Sequence, residues 1–142
     1  MPKPLVIDAS FAFRLLVPGP QQDSFRSQGA RWLRDGYELY APTLWLYEMT
    51  SALCKVVRFG ELTPEEGERA LALAQALGIF LVSPDDTQAR SAFEWTLRLG
   101  RTAAYDSFYL ALAQTLQCEL WTADRHLHNA VTQPWVRLAG ES

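Results

Sequence analysis

Five short apolar runs recur along the chain, and one or two stretches of helical periodicity separate each run from the next. The runs are PLVID (4–8), YELYAP (37–42), IFLV (79–82), ELWTAD (119–124) and WVRLA (135–139). Short apolar runs bounded by turn residues read as buried strands. Strands that alternate with helices point to an α/β chain: a three-layer α/β/α fold around a mainly parallel sheet of about five strands. Right-handed crossovers then bring the C-terminal end of every strand to the same edge. At 142 residues, one compact domain spanning 1–142 is expected.

The helical segments carry their own punctuation. SFAFRLLVP is a short helix stopped by Pro18. In DSFRSQGARWLRDG (23–36), Phe25, Trp32 and Leu33 form the apolar face and Gly36 the stop. Thr43 is placed to cap a helix whose buried stripe is Leu46, Met49, Leu53 and Val56. The segment 63–78 is the best signalled: Thr63 and Glu66 form a capping box, Pro64 takes the first helical position and Gly78 closes it. A further helix runs from Asp85 to Leu99. Leu110, Ala113 and Leu116 then mark one that extends to about Gln117.

That last helix contains an anomaly. Asp106 sits one turn before Leu110, on the apolar side, where an uncompensated carboxylate is costly. Three more acids fall at comparable places: Asp8 at the end of the first strand, Glu48 early in the helix after the second, and Asp124 at the end of the fourth. In a parallel α/β sheet, strand ends and helix starts share one rim, where such folds bind ligands. Each acid alone also has a local reading. Asp8, Asp106 and Asp124 can cap helices, and Glu48 can pair with Lys55. Together, four like charges call for a counter-charge, and an all-oxygen set suits Mg²⁺ or Mn²⁺ rather than Zn²⁺. Ser10 and Thr122 flank the set, Thr122 two residues before Asp124 and so on the same strand face. Asp23, Asp35, Glu61, Glu65, Glu66, Asp85 and Asp86 read as loop, cap or solvent-face residues.

Other features narrow the function classes. No run approaches the 18 or so apolar residues of a membrane span, and no signal-peptide core is evident, so a cytoplasmic protein is expected. Cys54 and Cys118 read as buried, reduced thiols. A formal net charge of −3 argues against a broad electrostatic grip on nucleic acid, unless cations neutralise an acidic site. His126 and His128 lack the companions of a zinc site and read as surface residues. The five tryptophans read as core or dimer interface.

VIDAS, LYEMTSAL, YDSFYLALA and TADRHL, in this order, resemble a PIN domain, and most closely the VapC-like toxins of toxin–antitoxin pairs. The resemblance implies a sheet of order 3-2-1-4-5. It also implies a Mg²⁺-dependent endoribonuclease, with Asp8, Glu48, Asp106 and Asp124 as catalytic metal ligands and Ser10 and Thr122 in support. A homodimer and a cognate antitoxin protein are implied as well. For RNA contacts, Arg14, Lys55, Arg58, Arg101 and Arg125 lie on or near the elements of the site. A non-toxin PIN nuclease of RNA processing and a catalytically silent PIN-like module are the alternatives. A haloacid-dehalogenase-like phosphatase would need Asp where Ser10 stands. A receiver domain would need a lysine beyond Lys55, and none occurs.

Overall fold

A strand buried on both faces has to be apolar at successive positions, and Leu5, Val6 and Ile7 meet that condition at no more than 2% exposure. They belong to β1 (Lys3–Ile7), the centre of the sheet. The other elements of the computed structural model, which describes residues 2–140, follow in chain order. They are α1 (Ala9–Leu16), α2 (Gln22–Arg34), β2 (Tyr37–Pro42), α3 (Leu44–Arg58), α4 (Pro64–Gln75), β3 (Phe80–Val82), α5 (Asp86–Arg98), α6 (Tyr105–Leu116), β4 (Leu120–Thr122), α7 (Arg125–Val131) and β5 (Val136–Leu138).

The strand order is β3-β2-β1-β4-β5, as the resemblance implies, and every pairing is parallel. Pleating sends alternate β1 residues to opposite layers. Leu5 and Ile7 pack with Phe11 of α1 and with Phe25 and Trp32 of α2. Val6 joins Trp45 and Met49 of α3, Trp95 of α5, and Tyr109, Leu110, Leu112 and Ala113 of α6. Three of the five tryptophans, Trp32, Trp45 and Trp95, are buried, whereas Trp121 and Trp135 are partly buried. Among the described residues, no helix is long and apolar enough to cross a membrane.

Several local expectations are corrected. Leu33 is 64% exposed, because it directly follows Trp32 and turns away from the stripe that Phe25 and Trp32 define. Cys54 is exposed for the same reason, next to buried Leu53, and Cys118 is only half-buried. Burial still pushes the Cys118 thiol up to about 11. Thr43 precedes α3 in helical backbone and makes no side-chain cap bond. The capping box at Thr63 and Glu66 forms as expected, with both reciprocal bonds present.

Candidate active site

β1 is flanked by β2 on one side and β4 on the other, so the chain reverses its order across the sheet there. This is the switch point at which open parallel sheets leave a crevice. Asp8 is the first residue after β1 and the N-cap of α1, its Oδ1 accepting from the Phe11 N–H at 3.1 Å. Asp124, two residues past β4, caps α7 and accepts from the N–H groups of His126 and Leu127 at 2.9 and 3.2 Å. Ile7 and Trp121 are paired in register, so these two strand ends are neighbours. Glu48 lies in the early turns of α3, which follows β2. Asp106 lies in the first turn of α6, one residue inside the helix. The cap position of α6 belongs to Ala104, which corrects the capping reading of Asp106. For Asp8 and Asp124, capping and rim placement coincide, since a helix start after a parallel strand is part of the rim.

Asp8 is 7% exposed and held on both oxygens. Ser10 Oγ donates to Oδ1 at 2.6 Å and Thr122 Oγ1 donates to Oδ2 at 2.5 Å. The two hydroxyls accept in turn from the N–H groups of Ala123 and Asp124, each at 3.0 Å. Desolvation outweighs these bonds and pushes the Asp8 carboxyl up to about 6, with a smaller upward push from Asp106. Thr122 therefore supports Asp8, and its link to Asp124 is through the backbone N–H. The expected same-face support of the Asp124 carboxylate does not form because β4 ends at Thr122 and the pleat goes no further.

Glu48 is half-buried and accepts from the Tyr109 hydroxyl at 2.6 Å, a partnership the sequence reading gave to Lys55. Burial, and then the charge of Asp106, raises the Glu48 carboxyl, while the Tyr109 bond opposes them. Tyr109 is 1% exposed and lies three residues after Asp106 on α6. Burial, and after it the charges of Glu48, Asp8 and Asp106, keeps its phenol protonated far above the ordinary tyrosine range. The role of Tyr109 escaped the sequence reading, although its i+3 spacing from Asp106 placed it on the same helical face. Asp106 itself pairs with Arg101, Nη1 to Oδ2 at 2.8 Å. Nη2 of the same guanidinium lies 3.3 Å from His126 Nδ1.

The charge of Asp106 thus bears on both Asp8 and Glu48. Each has its own partner: the Tyr109 phenol for Glu48, the Ser10 and Thr122 hydroxyls for Asp8 and the Arg101 guanidinium for Asp106. Among the described residues, no three Asp, Glu, His or Cys side chains stand close enough together to hold a metal ion. The donor set is nonetheless all oxygen at neutral pH, which fits a hard divalent cation such as Mg²⁺ or Mn²⁺ in kind.

The basic candidates divide into two groups. Arg14 and Arg125 line one cavity of about 500 Å³ with Ser10, Asp124 and His126. Arg101 lines a second, of about 450 Å³, with Glu48, Tyr105 and Asp106. Lys55 and Arg58 are exposed, but they follow Glu48 by seven and ten residues, about 10 and 15 Å along α3 away from the rim. His126 is exposed and His128 is half-buried beside Asn129.

Residues 5–132 match the PIN-domain family model. Ribonuclease VapC3 of Pyrobaculum aerophilum is 32% identical over 124 residues, which is 87% of this chain and 91% of that protein. Ribonuclease VapC9 of Mycobacterium tuberculosis is 32% identical over 123 residues, 87% of each chain. Among solved structures, VapBC2 of Rickettsia felis, bound to a DNA fragment from its promoter, superposes with a TM-score of 0.70 at 12% identity, covering 95% of this chain and 96% of that one. That structure shares the fold.

Proposed function

Because this chain belongs to the PIN-domain family, we propose that it is an endoribonuclease that hydrolyses RNA phosphodiester bonds with Mg²⁺ or Mn²⁺, acting in the cytoplasm as the toxin of a toxin–antitoxin pair. The observation that carries the reading is geometric: Asp8 and Asp124 follow the neighbouring ends of β1 and β4 at the switch point of the sheet, and Glu48 is tied to Tyr109 of α6, three residues after Asp106. The ribonuclease names of its relatives support the substrate class.

Asp8, Glu48, Asp106 and Asp124 would hold the ion. When bound, the ion supplies positive charge for the scissile phosphate and makes water a stronger nucleophile at neutral pH. The chain's own groups do the positioning. Ser10 and Thr122 fix both oxygens of Asp8, and Tyr109 fixes Glu48, so neither carboxylate has to be ordered during the reaction. Arg14 and Arg125, on the Asp124 side, are suited to the phosphates of a strand laid across the rim. Asp8 is the most desolvated of the four acids and gains most from a cationic neighbour.

A protein antitoxin is the proposed partner, in keeping with the VapBC structures that share the fold. A homodimer is proposed too. Phe93 and Leu97 lie one turn apart on α5 at 63% and 64% exposure, an apolar pair that a second copy would cover. Light scattering on the purified protein should then give twice the chain mass, and Leu97→Asp should give the monomer.

The test of the activity is direct. Purified protein should cleave RNA with Mg²⁺ or Mn²⁺, leaving 5′-phosphate and 3′-hydroxyl ends, stop in EDTA and resume when metal is returned. Asp106→Asn should lower the rate at least about 100-fold while the unfolding transition stays cooperative. Cleavage that persists in EDTA, or an active Asp106→Asn variant, would overturn the proposal.

A further inference from the structure

Arg101 is positioned with more care than a surface cation needs. α5 ends in a Schellman motif: the Gly100 N–H bonds to the Leu97 carbonyl at 3.1 Å and the Arg101 N–H to the Thr96 carbonyl at 3.1 Å. Gly100 takes φ +66°, the left-handed backbone that this motif requires and that glycine adopts without strain. The same turn of α5 is tied to α6: the buried Thr96 hydroxyl donates to the Ala92 carbonyl at 2.7 Å and accepts from the Ser107 hydroxyl at 2.8 Å. Ser107 is the residue after Asp106. The base of the Arg101 side chain and the base of the Asp106 side chain are therefore fixed to one another by two bonds that involve neither side chain. Between these anchors the guanidinium meets the carboxylate at 2.8 Å, with Arg101 22% exposed.

Asp106 is also the acid whose charge bears on both Asp8 and Glu48. A cation held at Asp106 consequently offsets its repulsion of Asp8 and Glu48, and Arg101 holds Oδ2 of Asp106 while lining the same cavity as Asp106 and Glu48. We propose that Arg101 is a built-in counter-ion of the acidic rim, which holds Asp106 in the ion-free protein and competes with the divalent cation for that carboxylate. The chain would thereby set its own threshold for metal loading. It stays folded and uncommitted at low divalent concentration and exchanges an internal cation for an external one as that concentration rises. This is a positioning role, acting through Asp106, and it rests on the divalent-cation reading above.

The experiment is a Mn²⁺ titration by calorimetry without RNA, paired with melting curves at rising Mn²⁺. It compares wild type, Arg101→Gln, Arg101→Lys, Asp106→Asn and the double variant carrying Asp106→Asn with Arg101→Gln. Arg101→Gln should bind Mn²⁺ about 5-fold or more tightly and show the larger melting-temperature rise, with Arg101→Lys close to wild type. In the Asp106→Asn background the same change should leave affinity unaltered. Equal or weaker binding by Arg101→Gln, in a wild type that binds Mn²⁺, would overturn the counter-ion role and leave the metal reading standing. An equal gain in both backgrounds would overturn it as well, since it would show a general field effect that does not pass through Asp106. A wild type that binds no Mn²⁺ would remove the metal reading and this inference together.

Discussion

Asp8 carries two opposed demands. Its carboxylate caps α1 and collects hydroxyl donors, yet it lies in a region so dry that its carboxyl rises to about 6 from an ordinary 3.8. The sign of the consequence follows from linkage. Between about pH 4 and pH 6 the folded protein retains a proton that the unfolded chain has released, so stability falls as pH rises through that window. Below it both states are protonated and the favourable contribution is complete; above it the contribution is lost, to the extent of about 3 kcal/mol. Asp8→Asn keeps an oxygen for the Phe11 N–H and removes the charge. In EDTA at pH 7.5 this variant should therefore be more stable than wild type to denaturant, and the advantage should shrink toward pH 4.5. An Asn variant that is less stable at pH 7.5 would contradict the desolvation account. Tyr109→Phe tests the neighbouring acid. It removes the sole hydroxyl donor of a 1% exposed ring to half-buried Glu48, and should cost roughly 1.5–3 kcal/mol in chemical denaturation. Asp106 was legible in the sequence because acids are rare on apolar faces, and Glu48 because it falls early in the helix after the second strand. Their partners Tyr109 and Arg101 were harder to assign, because a tyrosine on a core helix and an arginine after a glycine each have ordinary uses that only packing distinguishes.

The elements were the most readable part of the chain, and the reason is period. β2 coincides with the predicted run at 37–42, while β1 keeps a single apolar stretch that ends where Asp8 begins. α4 was marked at its start by Thr63, Pro64 and Glu66, whose interactions are local and need no tertiary partner. Features that depend on where a side chain points after an element ends were less readable. Thr122 supports Asp8 because β4 stops there, and Thr43 does not cap because its backbone is already helical. Local elements also predict local consequences. Thr63→Ala breaks the capping box of α4, whose residues lie outside both rim cavities. It should cost about 1 kcal/mol of unfolding free energy and leave RNA cleavage unchanged at temperatures well below the transition. A parallel loss of activity would show that α4 reaches the site by a route that the fold does not reveal.

At the scale of the molecule, charge placement matters more than charge total. A chain of net −3 is repelled by RNA at long range, and the rim carries the four acids proposed to act on the phosphate. Binding must then come from cations set beside the acids rather than from an overall positive field. Arg14 and Arg125 share the cavity that adjoins Asp124, whereas Lys55 and Arg58 stand two to three turns down α3 from Glu48. The two pairs should differ in a way that total charge cannot explain. In the Asp106→Asn background, where RNA is not consumed, affinity for a short single strand can be followed against salt. Replacing Arg14 and Arg125 together with alanine should weaken binding and flatten the slope of log K against log salt by about 1.4, two phosphates at roughly 0.7 each. Replacing Lys55 and Arg58 together, with the same change in net charge, should leave the slope where it was. If both pairs flatten it alike, RNA is held by the general field of the protein, and the rim cavities do not define its path.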